Sequence, residues 1–523
     1  MDTSRARTIA DLPEVFNATE DLLAHNLRKR PEKTAIVDHR GTCSYAELGD
    51  RVAQMAGVFE ALGVRRDQRV LLCLTDTRDF PTVFLGAIRA GVVPVPLNTL
   101  LTADDFAWIL QNSGAVAVFV SGELADKWQN IAVSESHVRF VSSERGPWDS
   151  LETLLAASLP VESPAATHRD DVAFWLYTSG STGRPKGAMH LHGSIRLTAN
   201  LYGIGAIGFR EDDVVLSIAK QFFAYGLGNS LSFPYAAGAT VVLFNGRATP
   251  DDISAIVREH RVTILGAVPT FLAGWLSHPS CPTREEVPAL RVATSAGEAL
   301  PGHLGRAFHQ RFGADVLDGL GSTELLHVFV SQRSGQVRHG CTGRVVDGYK
   351  VKLIGDDGSE TRPGEIGNLQ VWGPTAAIGY WRNREKSVAT FQGEWTVTGD
   401  KYLIDEDDWL TYAGRADDML KVGGIYVSPI EVEEALASHA DVLEAAVVGA
   451  QDTDGLVKPS AYIVVHDGVT RCAELEARLK LHVKAHLAPY KYPRWVTFVD
   501  ALPKTATGKI QRFRLREDVK WKP

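Results

Sequence analysis

The sequence predicts an α/β fold with a large N-terminal domain and a smaller C-terminal domain. Apolar runs typical of buried strands alternate with helix-length amphipathic segments, a pattern that favours parallel βαβ units. The 523 residues exceed what one core normally organises, since domains of about 100–200 residues are usual. With 45% hydrophobic and 23% charged residues, the composition is that of a globular protein.

The N-terminal domain is expected to consist of stacked α/β sheets. Ser44 followed by Glu47 forms a capping box, which predicts a helix running to about Leu62. The apolar run at 69–74 predicts a strand, and a helix is expected around 81–90. The same alternation then predicts strands at 172–176, 213–218, 240–244, 263–268 and 290–294. The segment 316–324 is predicted to be a further strand that runs into a Gly-rich turn.

The composition changes near residue 340. Short Gly- and Val-rich segments from about 340 to 412 predict a small β subdomain. A polar, turn-rich stretch at 414–424 follows, and a compact α/β pattern lies beyond it. We therefore place the domain boundary between residues 1–416 and residues 417–523.

Several classes of protein are disfavoured by charge and composition. A net charge of −8 gives no general attraction to nucleic acid or anionic membranes. No stretch approaches about 18 consecutive apolar residues, and the first residues lack a signal-peptide pattern. Five scattered cysteines without C-x-x-C spacing favour a reducing, cytoplasmic setting over a zinc site or a disulfide framework.

One loop, YTSGSTGRPKG at 177–187, has the composition of a phosphate cradle. Glycines let backbone N–H groups approach a ligand, and the hydroxyl residues add short donors. It is not a Walker A loop, because Gly187 rather than Ser or Thr follows Lys186. A flexible Gly/Ser linker is the alternative, which the preceding strand and the closing Pro185 and Lys186 disfavour.

Two more polar turns follow predicted strands, at 295–298 and 319–324. Ligands of parallel sheets bind outside the carboxyl ends of the strands. We therefore expect these turns and the 177–187 loop to face one site.

Five motifs arrive in an order that resembles the acyl-adenylate-forming superfamily of acyl-CoA synthetases, adenylation domains and luciferases. They are YTSGSTGRPKG at 177–187, GLGSTE at 319–324, TGD at 398–400, GRADDMLKVGG at 414–424 and PKTATGKIQR at 503–512. Within that superfamily the chain is similar to benzoate-CoA ligases and related aryl-CoA ligases. The matching segments are FFAYGLG at 222–228, SAGEALP at 295–301 and GLGSTELLHVF at 319–329.

The resemblance implies ATP-dependent ligation of an aryl carboxylate to coenzyme A through an acyl-AMP intermediate. It assigns Lys509 to the reacting oxygens, Lys186 to the departing phosphates, Glu324 to Mg²⁺ and Thr323 to a phosphate contact. The other nucleotide contacts that it implies are Thr178, Ser179, Ser181, Thr182, Gly297, Glu298, Asp318, Asp400 and Arg415.

The same resemblance implies a mobile C-terminal domain that turns about Asp417 between the two half-reactions. Gly423 and Gly424 would then line the pantetheine tunnel of CoA, where a side chain would block approach. The implied ring pocket consists of Phe223, Ala224, Tyr225, Ala296, Gly321, His327 and Val328. We interpret His190 and His192 as structural.

Several alternatives stay open at this point. Benzoate, hydroxybenzoate and 2-aminobenzoate differ by groups that shift binding by only about 1–3 kcal/mol. Transfer of the aryl group to a carrier protein, luciferase-like oxidation and an inactive nucleotide-binding regulator are further options. A homodimer is compatible with the sequence, whereas nucleic-acid and membrane partners are not expected.

Overall fold

A computed structural model describes residues 3–178, 184–415, 418–422, 425–452, 457–487, 491–504 and 510–517. The chain divides into two compact units, Met1–Val351 with Val371–Val397, and Lys352–Gln370 with Thr398–Pro523. The predicted α/β class is confirmed. The predicted domain boundary between residues 416 and 417 stays a prediction, and Asp417 lies outside the described residues.

The first unit contains a nine-stranded sheet with a parallel centre and antiparallel edges. In spatial order its strands are Arg344–Val345, Val328–Ser331, Asp315–Gly321, Val292–Ala296, Ile264–Ala267, Val214–Ser217, Thr240–Val242, Thr34–Asp38 and Gly41–Ser44. Two of the predicted polar turns follow adjacent parallel strands here, because Ser295 pairs with Asp318 and Ala296 with Gly319.

A second, all-parallel sheet of five strands lies in the same unit. Its spatial order is Val93–Pro96, Arg69–Cys73, Ala117–Ser121, Arg139–Ser143 and Asp149–Ser150. Most of these strand residues are buried, as expected for parallel strands covered on both faces.

The phosphate loop does not follow a strand of either large sheet. Val172–Thr178 and Lys186–Leu191 form an antiparallel hairpin that is its own two-stranded sheet. The expectation that 177–187 stands at the carboxyl end of a parallel strand was therefore wrong. A short apolar run does not reveal whether its partner is parallel or antiparallel, since that depends on tertiary packing.

Helices cover the sheets of the first unit. The α-helices are Ala18–Lys29, Tyr45–Ala61, Asp79–Arg89, Ala103–Ser113, Gln129–Ser134, Leu151–Ala157, His192–Thr198, Ala224–Leu227, Phe233–Ala237, Pro250–Glu259, Pro269–Ser277, Gly302–Phe312 and Arg384–Thr390. Two π-helical segments, Ala199–Ile207 and Gly228–Ser232, continue helices. Short 3₁₀ turns occupy Thr3–Arg5, Ile9–Asp11, Gly122–Lys127 and Thr323–Leu325.

The helix predicted after Ser44 begins as expected. The Ser44 hydroxyl accepts the backbone N–H of Glu47, and the Glu47 carboxylate accepts the backbone N–H of Ser44. The apolar stripe of this helix joins a core cluster that includes residues of both large sheets, among them Ile36 and Leu72. This cluster therefore joins the two large sheets of the first unit.

The second unit contains the predicted compact α/β segment. Strands Val442–Gln451, Val457–Val465 and Trp495–Phe498 form one sheet, and helices Pro429–Ala437 and Ala473–His486 contribute Leu436 and Leu475 to its core. It also contains the hairpin Leu420–Val422 with Ile425–Val427 and helix Arg512–Glu517. A further sheet is formed by strands Lys350–Ile354, Ile366–Trp372, Phe391–Gln392, Trp395–Ile404 and Leu410–Arg415.

Neither a membrane-crossing helix nor a disulfide is found in the described part of the chain. No helix there is long and apolar enough to span a bilayer. All five cysteines are free thiols, and three of them are buried.

Candidate active site

The hairpin places two of the predicted phosphate contacts side by side. Thr178 and Lys186 are directly opposed across the antiparallel strands, with Tyr177 opposite Gly187. A Cβ atom on Gly187 would lie 3.2 Å from the Tyr177 ring, so the absence of a side chain lets the strands stay close. Ser179, Ser181 and Thr182, which were predicted to complete the cradle, lie outside the described residues.

The predicted metal-binding carboxylate stands on a 3₁₀ turn after strand Asp315–Gly321. Ser322 caps this turn by accepting the backbone N–H of Leu325 at 3.3 Å, and Thr323 and Glu324 form its first positions. The Glu324 carboxylate accepts a hydrogen bond from the Tyr380 hydroxyl at 2.6 Å.

The same tyrosine contacts the predicted lysine of the phosphate loop. The Lys186 ammonium lies 4.6 Å from the centroid of the Tyr380 ring. The hairpin and the Glu324 turn therefore meet at Tyr380, although they belong to different sheets. Tyr380 was not predicted, because Gly379-Tyr380-Trp381 carries no phosphate-binding pattern.

The nucleotide turn after strand Val292–Ala296 leaves room beside its backbone. Gly297 has φ +91°, and a Cβ atom there would meet nothing within 4 Å. Glu298 accepts a hydrogen bond from the Thr270 hydroxyl at 2.9 Å. Asp318, on the neighbouring strand, is buried, and its carbonyl accepts the backbone N–H of Gln332 at 3.0 Å.

The residues predicted for the ring pocket converge in the first unit. The imidazole of His327 donates from Nε2 to the carbonyl oxygen of Tyr225 at 3.1 Å, and the two rings lie 5.4 Å apart. Gly321 pairs with Val328 across antiparallel strands. A Cβ atom on Gly321 would lie 2.6 Å from the His327 carbonyl oxygen, so only glycine fits between them.

Three further positions complete the predicted pocket. Ala296 belongs to the strand that carries Thr294, whose hydroxyl oxygen lies 2.7 Å from that of Tyr225. Phe223 and Ala224 immediately precede Tyr225 and pack against the core. Thr294 was not predicted, because nothing near it in the sequence distinguishes it from an ordinary strand residue.

A small cavity lies against this pocket. It is lined by Phe84, Phe174, Ile195, Thr198, Ala224, Leu227, Gly228, Leu231, Ser232, Leu326 and His327. Only Ala224 and His327 belong to the predicted pocket. Its lining is mainly apolar.

Burial controls the charge of the pocket histidine. Removal from water lowers the pKa of His327 to about 3, and the hydrogen bond to the Tyr225 carbonyl opposes this only in part. The ring is therefore neutral near pH 7. His190 and His192, interpreted as structural, are also buried with pKa values lowered to about 4, and His192 accepts the backbone N–H of Ala18 at 3.2 Å.

In the second unit the predicted ribose contacts form a pair. Asp400 and Arg415 are opposed across antiparallel strands, and the Arg415 guanidinium donates to the Asp400 carboxylate at 3.1 Å. It also donates to the Thr398 carbonyl at 3.1 Å. A charge-assisted pair of this kind can orient a carboxylate toward a diol.

The remaining predicted residues of this unit cannot be placed. Asp417, Gly423, Gly424 and Lys509 lie outside the described residues. Their assigned roles stay predictions.

Lys186 of the hairpin and Glu324 of the 3₁₀ turn both contact Tyr380, within an α/β fold of the kind that commonly binds nucleotides. The chain belongs to the AMP-binding enzyme family: residues 23–381 match the AMP-binding enzyme model, and residues 431–509 match the AMP-binding enzyme C-terminal domain.

Two relatives that match over nearly their whole length are named as CoA ligases of benzoate and of 4-hydroxybenzoate. The chain is 50% identical over 519 residues to benzoate–CoA ligase of Thauera aromatica, covering 98% of each protein. It is 47% identical to 4-hydroxybenzoate–CoA/benzoate–CoA ligase of Rhodopseudomonas palustris, covering 96% of this chain and 94% of the relative. The crystal structure of a benzoate CoA ligase from Burkholderia xenovorans LB400 is 48% identical, with a TM-score of 0.90, and covers 96% of this chain and 100% of that one.

Proposed function

We propose that this protein ligates benzoate, or a close aryl carboxylate, to coenzyme A through an acyl-AMP intermediate. The observation that carries the proposal is the convergence of Tyr225, His327, Gly321 and Val328 beside an apolar cavity, in a chain half identical to a benzoate–CoA ligase. A flat apolar slot with a neutral histidine suits an aromatic ring and does not attract a second charge.

In the proposed first half-reaction, a carboxylate oxygen attacks the α-phosphorus of ATP. The bond from that phosphorus to the β-phosphate bridging oxygen breaks, and pyrophosphate leaves. Both reactants are anions, so positive groups must offset their repulsion and hold them in line. We assign Lys186, Thr178 and the loop to the pyrophosphate, and Lys509 to the reacting oxygens.

In the proposed second half-reaction, the CoA thiolate attacks the acyl carbon, and the bond from carbon to the AMP oxygen breaks. The products are an acyl-CoA thioester and AMP. We propose that the segment beyond residue 416 turns about Asp417 between the steps. Gly423 and Gly424 would then admit the pantetheine arm.

Glu324 is the proposed Mg²⁺ ligand. The described residues contain no cluster of three or more acidic, histidine or cysteine groups that could hold a metal ion. Mg²⁺ at nucleotide sites commonly takes one or two carboxylates and completes its shell with waters and phosphate oxygens. A single carboxylate beside Thr323 therefore fits this cation, which would neutralise charge on the phosphates when bound.

A second substrate, 4-hydroxybenzoate, is favoured by one feature of His327. Because Nε2 donates to the Tyr225 carbonyl, Nδ1 carries a lone pair, and among the described residues this buried atom has no hydrogen-bond partner. An unsatisfied buried acceptor costs about 1–3 kcal/mol. A hydroxyl or amino group on the ring could donate to it, whereas benzoate could not.

We also propose a cytoplasmic setting, supported by five free cysteines at scattered positions. A homodimer is compatible with this proposal. Light scattering after size-exclusion chromatography would measure the oligomeric state.

The proposed function is tested by incubating the protein with ATP, Mg²⁺, CoA and one acid, and separating the products by liquid chromatography. Benzoate, 2-aminobenzoate, 3- and 4-hydroxybenzoate and fluorobenzoates form the panel. We expect AMP, pyrophosphate and benzoyl-CoA in equal amounts. Absence of both AMP and thioester for every acid would refute the proposal, and pyrophosphate exchange without thioester would redirect it to a carrier-protein acceptor.

A further inference from the structure

Tyr380 is held in place by backbone pairing with the phosphate-loop hairpin. Its segment runs beside the second strand of the hairpin: Ile378 donates its N–H to the Met189 carbonyl at 3.0 Å, and Trp381 donates to the Gly187 carbonyl at 2.9 Å. Tyr380 itself is 4% exposed. A buried ring fixed by backbone bonds on both sides has little freedom to move.

The same segment also fixes Glu324. The backbone N–H of Ala377 donates to the Glu324 carbonyl at 2.8 Å, and the Tyr380 hydroxyl donates to the Glu324 Oε1 atom at 2.6 Å. A hydrogen bond to an ionised acceptor is stronger than a neutral one, and this distance is typical of that class. The bond engages one carboxylate oxygen and sets the direction in which the other points.

The aromatic ring of Tyr380 makes a separate contact, with Lys186. Its face lies 4.6 Å from the Lys186 ammonium, a distance at which the ring quadrupole attracts a cation. The Glu324 carboxylate contacts the phenol rather than the ammonium. If Lys186 and Glu324 paired directly, the positive charge meant for a phosphate would be neutralised by the carboxylate.

We propose that Tyr380 is a positioning residue for the nucleotide, which orients Glu324 through its hydroxyl, supports Lys186 through its ring, and so prevents the two from pairing with each other. The inference rests on the proposed function, because it assumes that both residues meet the polyphosphate and its cation. It concerns nucleotide binding alone and does not depend on which acid is ligated.

The test measures binding without turnover. Calorimetric titration of a non-hydrolysable ATP analogue, without acid or CoA, is repeated over a series of Mg²⁺ concentrations. Tyr380→Phe keeps the ring and removes only the donor to Glu324. We expect it to bind the Mg²⁺–nucleotide about tenfold more weakly, and to need more Mg²⁺ for half-maximal affinity.

Tyr45→Phe is the matched control. The Tyr45 hydroxyl also donates one hydrogen bond, to the Ala239 carbonyl at 2.7 Å, and the residue is 0% exposed in the same unit. The Tyr45→Phe variant loses one buried hydrogen bond that lies outside the site. Its nucleotide affinity should therefore stay within twofold of the wild type.

A double mutant separates positioning from a general structural effect. In a Glu324→Gln background, Tyr380→Phe should cause no further loss of Mg²⁺ dependence, because the oriented carboxylate is already gone. Tyr380→Leu, which removes the ring as well, should weaken binding of inorganic pyrophosphate, and Tyr380→Phe should leave it unchanged.

Two results would overturn the inference: wild-type affinity of Tyr380→Phe at every Mg²⁺ concentration, or fully additive losses in the double mutant. Failure of the wild type to bind the nucleotide analogue would instead refute the proposed function. The two failures are therefore distinguishable.

Discussion

The hydroxyl oxygens of Tyr225 and Thr294 lie 2.7 Å apart, which joins the ring-pocket segment to the strand that ends at the nucleotide turn. Thr294 is fully buried. The bond fixes the direction of the Tyr225 phenol, whose backbone carbonyl in turn accepts the His327 hydrogen bond. Thr294 therefore positions the pocket without lining it.

Thr294→Val should raise the KM for benzoate about fivefold and leave the KM for ATP unchanged, since one buried hydrogen bond contributes about 1 kcal/mol. The control is Thr19→Val, whose hydroxyl donates to the Leu85 carbonyl at 2.7 Å in an equally buried setting. Steady-state kinetics with each substrate varied in turn would measure both constants. Equal changes in the two KM values would contradict a role in the ring pocket.

The fold was predictable where the signal is local. The Ser44 and Glu47 capping box, and the apolar runs that became Arg69–Cys73 and Ile264–Ala267, need only neighbouring residues to be read. The hairpin at Val172–Thr178 was misassigned because the pairing direction of a short strand is set by distant packing.

The site was predictable only where a motif marks it. Glu324 and Lys186 stand in motifs, but Tyr380 reaches Glu324 across 56 positions of the chain, and only backbone pairing with the hairpin brings it there. Thr294 and Lys220, which is described below, stand in no recognised motif and contact residues distant in the chain, so they were not predicted. Their hydrogen-bond partners are hydroxyls and carbonyls of residues far away in the sequence, and no local pattern indicates that these residues are close in the fold.

Lys220 anchors the start of the ring-pocket segment. Its ammonium donates to the carbonyls of Phe244 and Gly246, and lies 5.4 Å from the Phe244 ring. The next residue, Gln221, donates its backbone N–H to the buried carboxylate of Asp76 at 3.1 Å. Hydrogen bonds of Lys220 and Gln221 therefore fix the backbone just before the predicted pocket residues.

Lys220→Met should raise the KM for benzoate at least threefold and lower stability by about 1–3 kcal/mol, because two carbonyls lose a charged donor. The control is Lys127→Met, because Lys127 has the same kinds of contact as Lys220. Lys127 donates to the Thr99 and Leu101 carbonyls at 2.9 and 3.1 Å, and lies 5.8 Å from the Phe106 ring. The Lys127→Met variant should show a similar loss in the free energy of unfolding, measured with urea, and an unchanged KM for benzoate. A raised benzoate KM in both variants would show that the effect is not specific.

Acid should destabilise the fold through its buried histidines. Burial lowers the pKa values of His190 and His192 to about 4 and of His327 to about 3, below the ordinary value of 6.5. The unfolded state therefore binds protons that the folded state does not. The stability that each contributes is complete above pH 6.5 and is lost as the pH falls toward its folded pKa, at up to about 1.4 kcal/mol per pH unit.

Burial raises the pKa of Asp76 to about 6, so the folded state binds a proton there before the unfolded state does. This carboxyl therefore increases the free energy of unfolding as the pH falls below 6, opposite to the histidines. Urea unfolding of wild type and His192→Gln between pH 6.5 and 4.5 isolates one histidine. The variant should show a pH slope smaller by up to about 1.4 kcal/mol per unit. Identical slopes would mean that His192 is not buried in its neutral form.

Lys509→Ala should lower the rate of adenylate formation by about 10²–10³-fold, the usual cost of removing one donor that stabilises transition-state charge. Thioester formation from supplied benzoyl-AMP and CoA should be largely intact, because the lysine is assigned to the first step only. Pyrophosphate exchange measures the first half-reaction, and consumption of benzoyl-AMP measures the second. Equal loss of both would contradict the assignment of Lys509 and the turn about Asp417.

Gly228 is the position where the smallest side chain should close the ring pocket. It begins the π-helical segment Gly228–Ser232, and a Cβ atom there would overlap Cδ2 and Nε2 of His327 and lie 2.8 Å from the Phe233 ring. His327 is buried and already bonded to the Tyr225 carbonyl, so it cannot retreat without breaking that bond. Overpacking of this kind typically costs about 1–3 kcal/mol.

Gly228→Ala should therefore raise the KM for benzoate at least tenfold, and more for acids that carry a ring substituent. The control is Gly274→Ala in helix Pro269–Ser277, where an added Cβ atom meets nothing within 4 Å. That variant should be slightly more stable than wild type, because alanine favours a helix interior by about 0.5–1 kcal/mol over glycine. An equal KM for benzoate in the Gly228→Ala and Gly274→Ala variants would mean that His327 does not border the bound ring.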